Sequence, residues 1–156
     1  TAWAKLNGIP TLVDPKKRNF LNFKDVTLFK PNFKELQEGT NQALKKGDFD
    51  KLFDVVKELH QKYQQQYLLV TLSELGVFVS DGTKYTVIPA LIRDIADVSG
   101  AGDTVISIAS LCLACKMSIE FTAALANMGG GLVCERLGVV PIEKEKLLQE
   151  ALHVLV

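Results

Sequence analysis

The sequence has no surplus of charge in either direction: 18 Lys and Arg balance 18 Asp and Glu over 156 residues. No basic stripe stands out, which argues against nucleic acid or an anionic membrane as the main partner. No apolar run reaches the ~18 residues that a bilayer-spanning helix needs. The opening TAWAKLNGIP lacks the charged-then-apolar pattern of a secretory leader. Cysteine is scarce and odd in number, three residues, which fits a reducing cytoplasmic setting better than a disulfide framework. The single C-x-x-C, Cys112 to Cys115, sits inside an apolar helical stretch, where thiols serve as small hydrophobes. Only two histidines occur, His60 and His153, each alone, so a zinc site is not expected. Neither a Walker A pattern nor a full G-x-G-x-x-G appears, and there is no internal repeat or low-complexity linker.

Hydrophobic residues make up 47% of the chain, enough for one domain with a sizeable core. AWAKLNG reads as a short helix capped by Gly8, followed by a strand IPTLVDP over 9–15. An opening in mid-element, without Met, suggests a piece of a longer protein. A loop leads to a second strand at 26–30, then to a helix capped by Asn32 with Glu35 at its third position. Residues 48–66 place Phe49, Leu52, Phe53, Val56 and Leu59 on one helical face. YLLVTLS at 67–73 has the length and continuous apolarity of a strand covered on both faces. Residues 76–90 alternate around a Ser-Asp-Gly turn and predict a β-hairpin. Helices follow at 102–116, 118–136 and 143–155, the last a solvated amphipathic one. The alternation predicts an α/β layered fold with a mainly parallel sheet.

The tract DVSGAGDT at 97–104 carries the chemistry. Gly100, Ala101 and Gly102 let the backbone turn sharply and come close to a ligand. The free amides and dipole of the helix that follows make an anion site, a usual address for phosphate. An acid in that turn, Asp103, repels a phosphate but can accept the proton of a hydroxyl attacking it. It can equally serve to satisfy the helix N-terminus. Three consecutive glycines, Gly129 to Gly131, each cost about 1 kcal/mol against Ala within a helix. Something must approach closely there, either a flat ring or another helix.

DVSGAGDT resembles the C-terminal signature of the ribokinase-like (PfkB) carbohydrate kinases. VDPK at 13–16, KPNFKEL at 30–36, LLVTLSELGVFV at 68–79 and ALANMGGGLVCERLG at 124–138 fall in that family's order and spacing. DVSGAGDTVI and VDPK are most similar to the heptose-7-phosphate kinase domains of bacterial ADP-heptose synthase proteins. The resemblance implies a three-layer α/β/α fold, of which residues 1–156 would form the C-terminal, nucleotide-side half. It implies Asp103 as catalytic base and Gly100, Ala101 and Gly102 as the anion hole. Asn32 and Glu35 would organise Mg²⁺. Ser73, Gly76, Asn127, Gly130 and Gly131 would border the nucleotide, with Ser73 standing where the family commonly has Gly. Asp97 and Ser99 fall at a monovalent-cation site, so ATP, Mg²⁺ and K⁺ are the implied cofactors. A sugar or sugar phosphate is the implied partner. The sugar-binding pattern of the family's N-terminal half is not in the sequence, which keeps a nucleotide-binding module without kinase activity of its own as the alternative. Self-association, most simply as a homodimer, is expected from the unpaired edge this would leave.

Overall fold

The computed structural model describes residues 1–155. Six helices and five strands follow in the order α1 (Ala2–Leu6), β1 (Leu12–Val13), β2 (Leu28–Phe29), α2 (Phe33–Thr40), α3 (Phe49–Tyr63), β3 (Tyr67–Thr71), β4 (Val77–Ser80), β5 (Tyr85–Ile88), α4 (Ala101–Ala114), α5 (Ile119–Val133) and α6 (Lys144–Val154). The strands form one sheet in the order β1-β2-β3-β4-β5. β1, β2 and β3 run parallel, and the β4–β5 hairpin extends them antiparallel.

Alternating side chains divide the core between the two faces of the sheet. Phe29, Leu68, Val70 and Phe78 point to the face covered by α2 and α3, where Leu36, Leu52 and Val56 are fully buried or nearly so. Leu28, Leu69, Val77 and Val79 point to the opposite face and meet Val105, Ile108, Ala109, Ala123 and Ala126 of α4 and α5. The result is the expected three-layer α/β/α arrangement, and β3 is covered on both faces as its unbroken apolar run predicts.

The strands at 9–15 and 26–30 shrink to two-residue ladders. Pro10, Pro15 and Pro31 bracket them and have no N–H to give to a ladder. Thr11 and Thr27 extend the pairing with their hydroxyls, each accepting the other's backbone N–H at 3.0 and 3.2 Å. Residues 17–22, expected as loop, form a 3₁₀ stretch that buries Phe20 edge-on against Phe29. The helix expected through residue 66 stops at Tyr63, because Gln64 takes a left-handed conformation with φ 54°. α1 ends as expected, with Gly8 at φ 65° and the amide of Ile9 reaching back to the Ala4 carbonyl.

Candidate active site

The parallel strands end on one side of the sheet, and each ends in polar residues: Asp14 after β1, Lys30 and Asn32 after β2, Thr71 closing β3. This crevice beyond the carboxyl ends is where open α/β sheets bind ligands. Asn32 pairs with Thr71 in an isolated parallel bridge and then starts α2. Its Oδ1 accepts the Glu35 amide at 2.8 Å, while Glu35 Oε2 accepts the Asn32 amide at 2.8 Å. The capping box is thus complete, and it leaves Glu35 Oε1 for Lys16, whose Nζ lies 3.0 Å away. The same ammonium lies 3.2 Å from Asp14 Oδ2. The hydrogen bond to Glu35, with a further one to Asp14, holds the Lys16 amine above its ordinary pKa.

Lys30 is the site's buried charge, 2% exposed, with Nζ 3.2 Å from Asp14 Oδ1. That contact is an ion pair without an aligned hydrogen bond, and Asp14 Oδ1 stays short of a partner. A buried ammonium held by one carboxylate retains donors to spend. Nζ lies close to the start of α4: a Cβ placed on Gly102 would sit 3.6 Å from it. Gly100 caps α4 in the left-handed region at φ 79°, ψ −6°, which is why glycine stands there. The Ala101 amide is taken by the Val98 carbonyl at 3.3 Å, while those of Gly102 and Asp103 have no acceptor among the described residues. Asp103 is exposed in this first turn, and its carboxylate makes no hydrogen bond or ion pair there; only its main-chain carbonyl is used, by Ser107 Oγ. Two free amides thus lie in the turn that approaches the buried ammonium, and the same turn carries an unengaged carboxylate. The carboxylate is not used as a cap.

The residues expected around a nucleotide lie in the turn after β3 and in α5. Ser73 is exposed with φ 56°, a left-handed position that glycine would fill without strain. Gly76 is buried under the segment after β5, and a Cβ there would fall 2.0 Å from the Ile88 carbonyl oxygen. Asn127 Nδ2 donates to the Pro89 carbonyl at 2.9 Å and fixes that same segment to α5. Gly129 and Gly130 lie against α4, where Cβ atoms would meet Ile108 Cδ1 at 2.1 Å and Val105 Cγ2 at 2.7 Å. Gly131 faces Arg93, with Nε 2.8 Å from where a Cβ would be. The close approach that the glycine run demands comes from a helix and an arginine within the chain. Within the chain, the Ile88 carbonyl oxygen and the Val105 side chain are what a Cβ at 76 or 130 would strike first.

Asp97 staples the loop that leads into α4. Its Oδ1 accepts the Ser99 amide at 3.0 Å and the Ser99 hydroxyl at 2.8 Å, and its Oδ2 accepts the Gly138 amide at 3.0 Å. These donors, the Ser99 amide first, lower the Asp97 pKa. The amides of Ala96 and Asp97 both reach the Cys134 carbonyl, at 2.8 and 3.1 Å. Of the C-x-x-C pair, Cys112 is buried in α4 and desolvation raises its thiol pKa, while Cys115 caps the C-terminal end. The expected burial thus holds for Cys112 and not for Cys115, which is exposed at the helix end.

Asp14, Lys16, Lys30 and Arg93 were missed as site residues by sequence reasoning. The signal was there for two of them, Asp14 and Lys16: charges placed directly after a short apolar strand, in VDPK.

Residues 1–146 match the family model described as pfkB family carbohydrate kinase. The bifunctional protein HldE of Magnetococcus marinus is 38% identical over 141 residues, 90% of this chain and 28% of that protein. HldE of Syntrophotalea carbinolica is 34% identical over 154 residues, 97% of this chain and 31% of that protein. The chain thus spans under a third of the length of these curated relatives. Phosphofructokinase-2 of Escherichia coli, in complex with potassium, superposes with a TM-score of 0.85 at 19% identity over 99% of this chain and 50% of that one. Arabidopsis thaliana ribokinase, complexed with ribose and ATP, gives 0.79 at 21% identity over 93% of this chain and 48% of that one.

Proposed function

The chain belongs to the pfkB family of carbohydrate kinases, and from that premise we propose that it is the C-terminal, nucleotide-side half of an ATP-dependent kinase. The acceptor is a sugar or sugar-phosphate hydroxyl, with heptose 7-phosphate foremost. The observation that carries the reading is the free Asp103 carboxylate beside the unspent amides of Gly102 and Asp103 and the buried Lys30 ammonium.

In this reading Asp103 orients the acceptor hydroxyl and takes its proton as the bond to phosphorus forms. The free amides of Gly102 and Asp103, presented by the Gly100 turn, act with the α4 dipole and Lys30 to stabilise charge on the transferred phosphoryl group, while the Ala101 amide is spent on Val98. Lys30 needs no reorganisation to act, because Asp14 already holds it in place. Mg²⁺ would supply charge neutralisation at the phosphates, and the carboxylates fit it: Asp14 Oδ2 and Glu35 Oε1 are both held only by the exposed Lys16. Two carboxylates suit a metal that takes the rest of its shell from phosphates and water. Asn32 orients Glu35 through the capping box. Asp97 and Ser99 shape the loop whose carbonyls could ligate K⁺. Ser73, Asn127 and Gly131 border the nucleotide, while Gly76 and Gly130 set the floor beneath it by close packing.

The match to the pfkB family model over residues 1–146, with the similarity to HldE proteins over 90% or more of the chain, supports a carbohydrate kinase. Calorimetric titration of the folded chain with ADP and Mg²⁺ tests the nucleotide half of the proposal. Heat of binding is expected, and its absence at millimolar nucleotide would refute the proposal.

A further inference from the structure

Lys16 joins two carboxylates from different elements, Asp14 after β1 and Glu35 in α2, at 3.2 and 3.0 Å. Each carboxylate has its other oxygen engaged elsewhere. Asp14 Oδ1 faces the buried Lys30, and Glu35 Oε2 is locked onto the Asn32 amide. The two oxygens left over, Asp14 Oδ2 and Glu35 Oε1, both turn to the Lys16 ammonium.

The two lysines differ in their freedom to leave. Lys30 is 2% exposed and cannot swing out without leaving Asp14 in a desolvated pocket. Lys16 is 63% exposed on a flexible stem, so water can replace its contacts. The four groups sum to zero charge. A divalent cation added to them as they stand would enter beside two ammonium groups and find both outward oxygens taken.

Resting on the kinase reading above, we propose that Lys16 is a resident counter-ion that competes with the divalent metal for Asp14 and Glu35. Metal entry is then an exchange, in which Lys16 leaves the carboxylates as the metal arrives. It lowers the metal affinity of the empty site, and the metal is retained when nucleotide phosphates bring negative charge for the released ammonium to meet. Lys16 is thus a positioning residue for the acids, and it makes metal binding depend on nucleotide.

The test uses the 156-residue chain and Mn²⁺ as the probe. Mn²⁺ binding is followed by the loss of its free-ion electron paramagnetic resonance signal, with and without saturating ADP, in the wild type, Lys16→Met and Lys16→Arg. Lys16→Met is expected to bind Mn²⁺ about three- to fivefold more tightly without nucleotide, the range an exposed ion pair supplies. The factor by which ADP tightens Mn²⁺ binding is expected to shrink, while Lys16→Arg, which keeps the bridging cation, stays near wild type. Unfolding curves confirm that each variant is folded. If Lys16→Met binds Mn²⁺ with unchanged or weaker affinity while the wild type binds Mn·ADP, the exchange is overturned and the kinase reading stands. If the wild type binds neither Mn²⁺ nor ADP, the kinase reading fails, and this inference with it.

Discussion

Ile108 of α4 occupies the space over Gly129 of α5 so fully that a Cβ on Gly129 would lie 2.1 Å from its Cδ1. Gly129 is therefore a packing position, and the two residues should be energetically coupled. Gly129→Ala gains about 1 kcal/mol of helix propensity but overfills the contact, which typically costs about 1–3 kcal/mol. Ile108→Val removes the offending Cδ1 and alone costs about 0.5–1.5 kcal/mol. In the Ile108→Val background, Gly129→Ala should turn neutral or stabilising, a coupling of at least about 1 kcal/mol. Urea unfolding of the four proteins measures it, and simple additivity would show that α4 yields to the methyl group.

How much of this was legible beforehand depended on the scale of the signal. Helices α3, α4 and α5 and strand β3 are long or fully apolar, and their periodicity placed them to within a few residues. The two-residue ladders of β1 and β2 lay inside longer apolar runs, and nothing in the runs says which residues find a partner. The turn Gly100–Asp103 declared itself because glycines before an acid at a helix start have few other uses. Lys30 did not, because a lysine beside a proline looks like a solvated loop residue. Only the sheet topology, which places Asp14 beside it and Gly102 above it, reveals a buried ammonium. Arg93 was illegible for a similar reason, since its partners Glu135 and Glu150 lie 42 and 57 positions away.

Asp103→Asn tests the chemistry. The amide keeps the shape of the side chain but cannot take the acceptor's proton. In the protein that joins this chain to a sugar-binding half, turnover should fall about 10²- to 10⁴-fold, the usual share of a general base. Nucleotide affinity should hold or rise slightly, because a negative charge near the phosphates is gone. A coupled ADP-release assay reads the first quantity and calorimetry the second. Near-normal turnover would remove Asp103 from the mechanism.

His60 sets a pH dependence of stability. Its Nδ1 lies 2.6 Å from the Gln65 carbonyl oxygen, while Nε2 is buried against the β4–β5 turn without an aligned hydrogen bond among the described residues. Desolvation lowers its pKa below the ordinary 6.5, despite the nearby Asp81 and the carbonyl contacts at Gln65 and Ser80. A folded-state value below the unfolded one means that the unfolded chain binds the proton more readily. The stability is then fully present above about pH 6.5 and drains away as pH falls through the folded-state value. Asp81, held near 2, titrates well below that window. Thermal unfolding between pH 7.5 and 5 should show falling stability in the wild type and a flatter profile in His60→Gln. Parallel profiles would assign the slope to other groups.

Arg93 anchors the segment between β5 and α4. Its side chain is 7% exposed, with Nη1 2.6 Å from Glu135 and a second pairing to Glu150, while Lys146 also binds Glu135. Arg93→Ala strands both acids, but Lys146 and water soften the loss, so about 1–3 kcal/mol is expected. Residues 89–99 should become more open to proteolysis, because Arg93 is their bridge to α6. Limited digestion followed by peptide mapping checks this. Unchanged cleavage would mean that Asn127 and the Cys134 carbonyl hold the segment unaided.

The edge of the sheet predicts how the chain behaves in solution. β1 is hydrogen-bonded to β2 on one side only, which leaves its other side as an unpaired edge. Nearby, Trp3, Leu6 and Ile9 are 70%, 87% and 46% exposed, and α1 buries none of its residues. An edge flanked by apolar side chains finds a partner, and the simplest closed arrangement is a twofold dimer that pairs the two edges. The isolated chain should therefore self-associate at tens of micromolar, about the range where exposed edges cause aggregation. It should also lack sugar phosphorylation of its own. Light scattering measures the first and a coupled assay with sugar phosphates the second. Trp3→Lys together with Ile9→Lys places like charges at the proposed junction, on exposed side chains outside both cores, and should restore a monomer. A wild type that is already monomeric would show that α1 shields the edge, and a double variant that still associates would move the interface elsewhere, with the exposed Ile92, Leu137 and Val139 the next surface to charge.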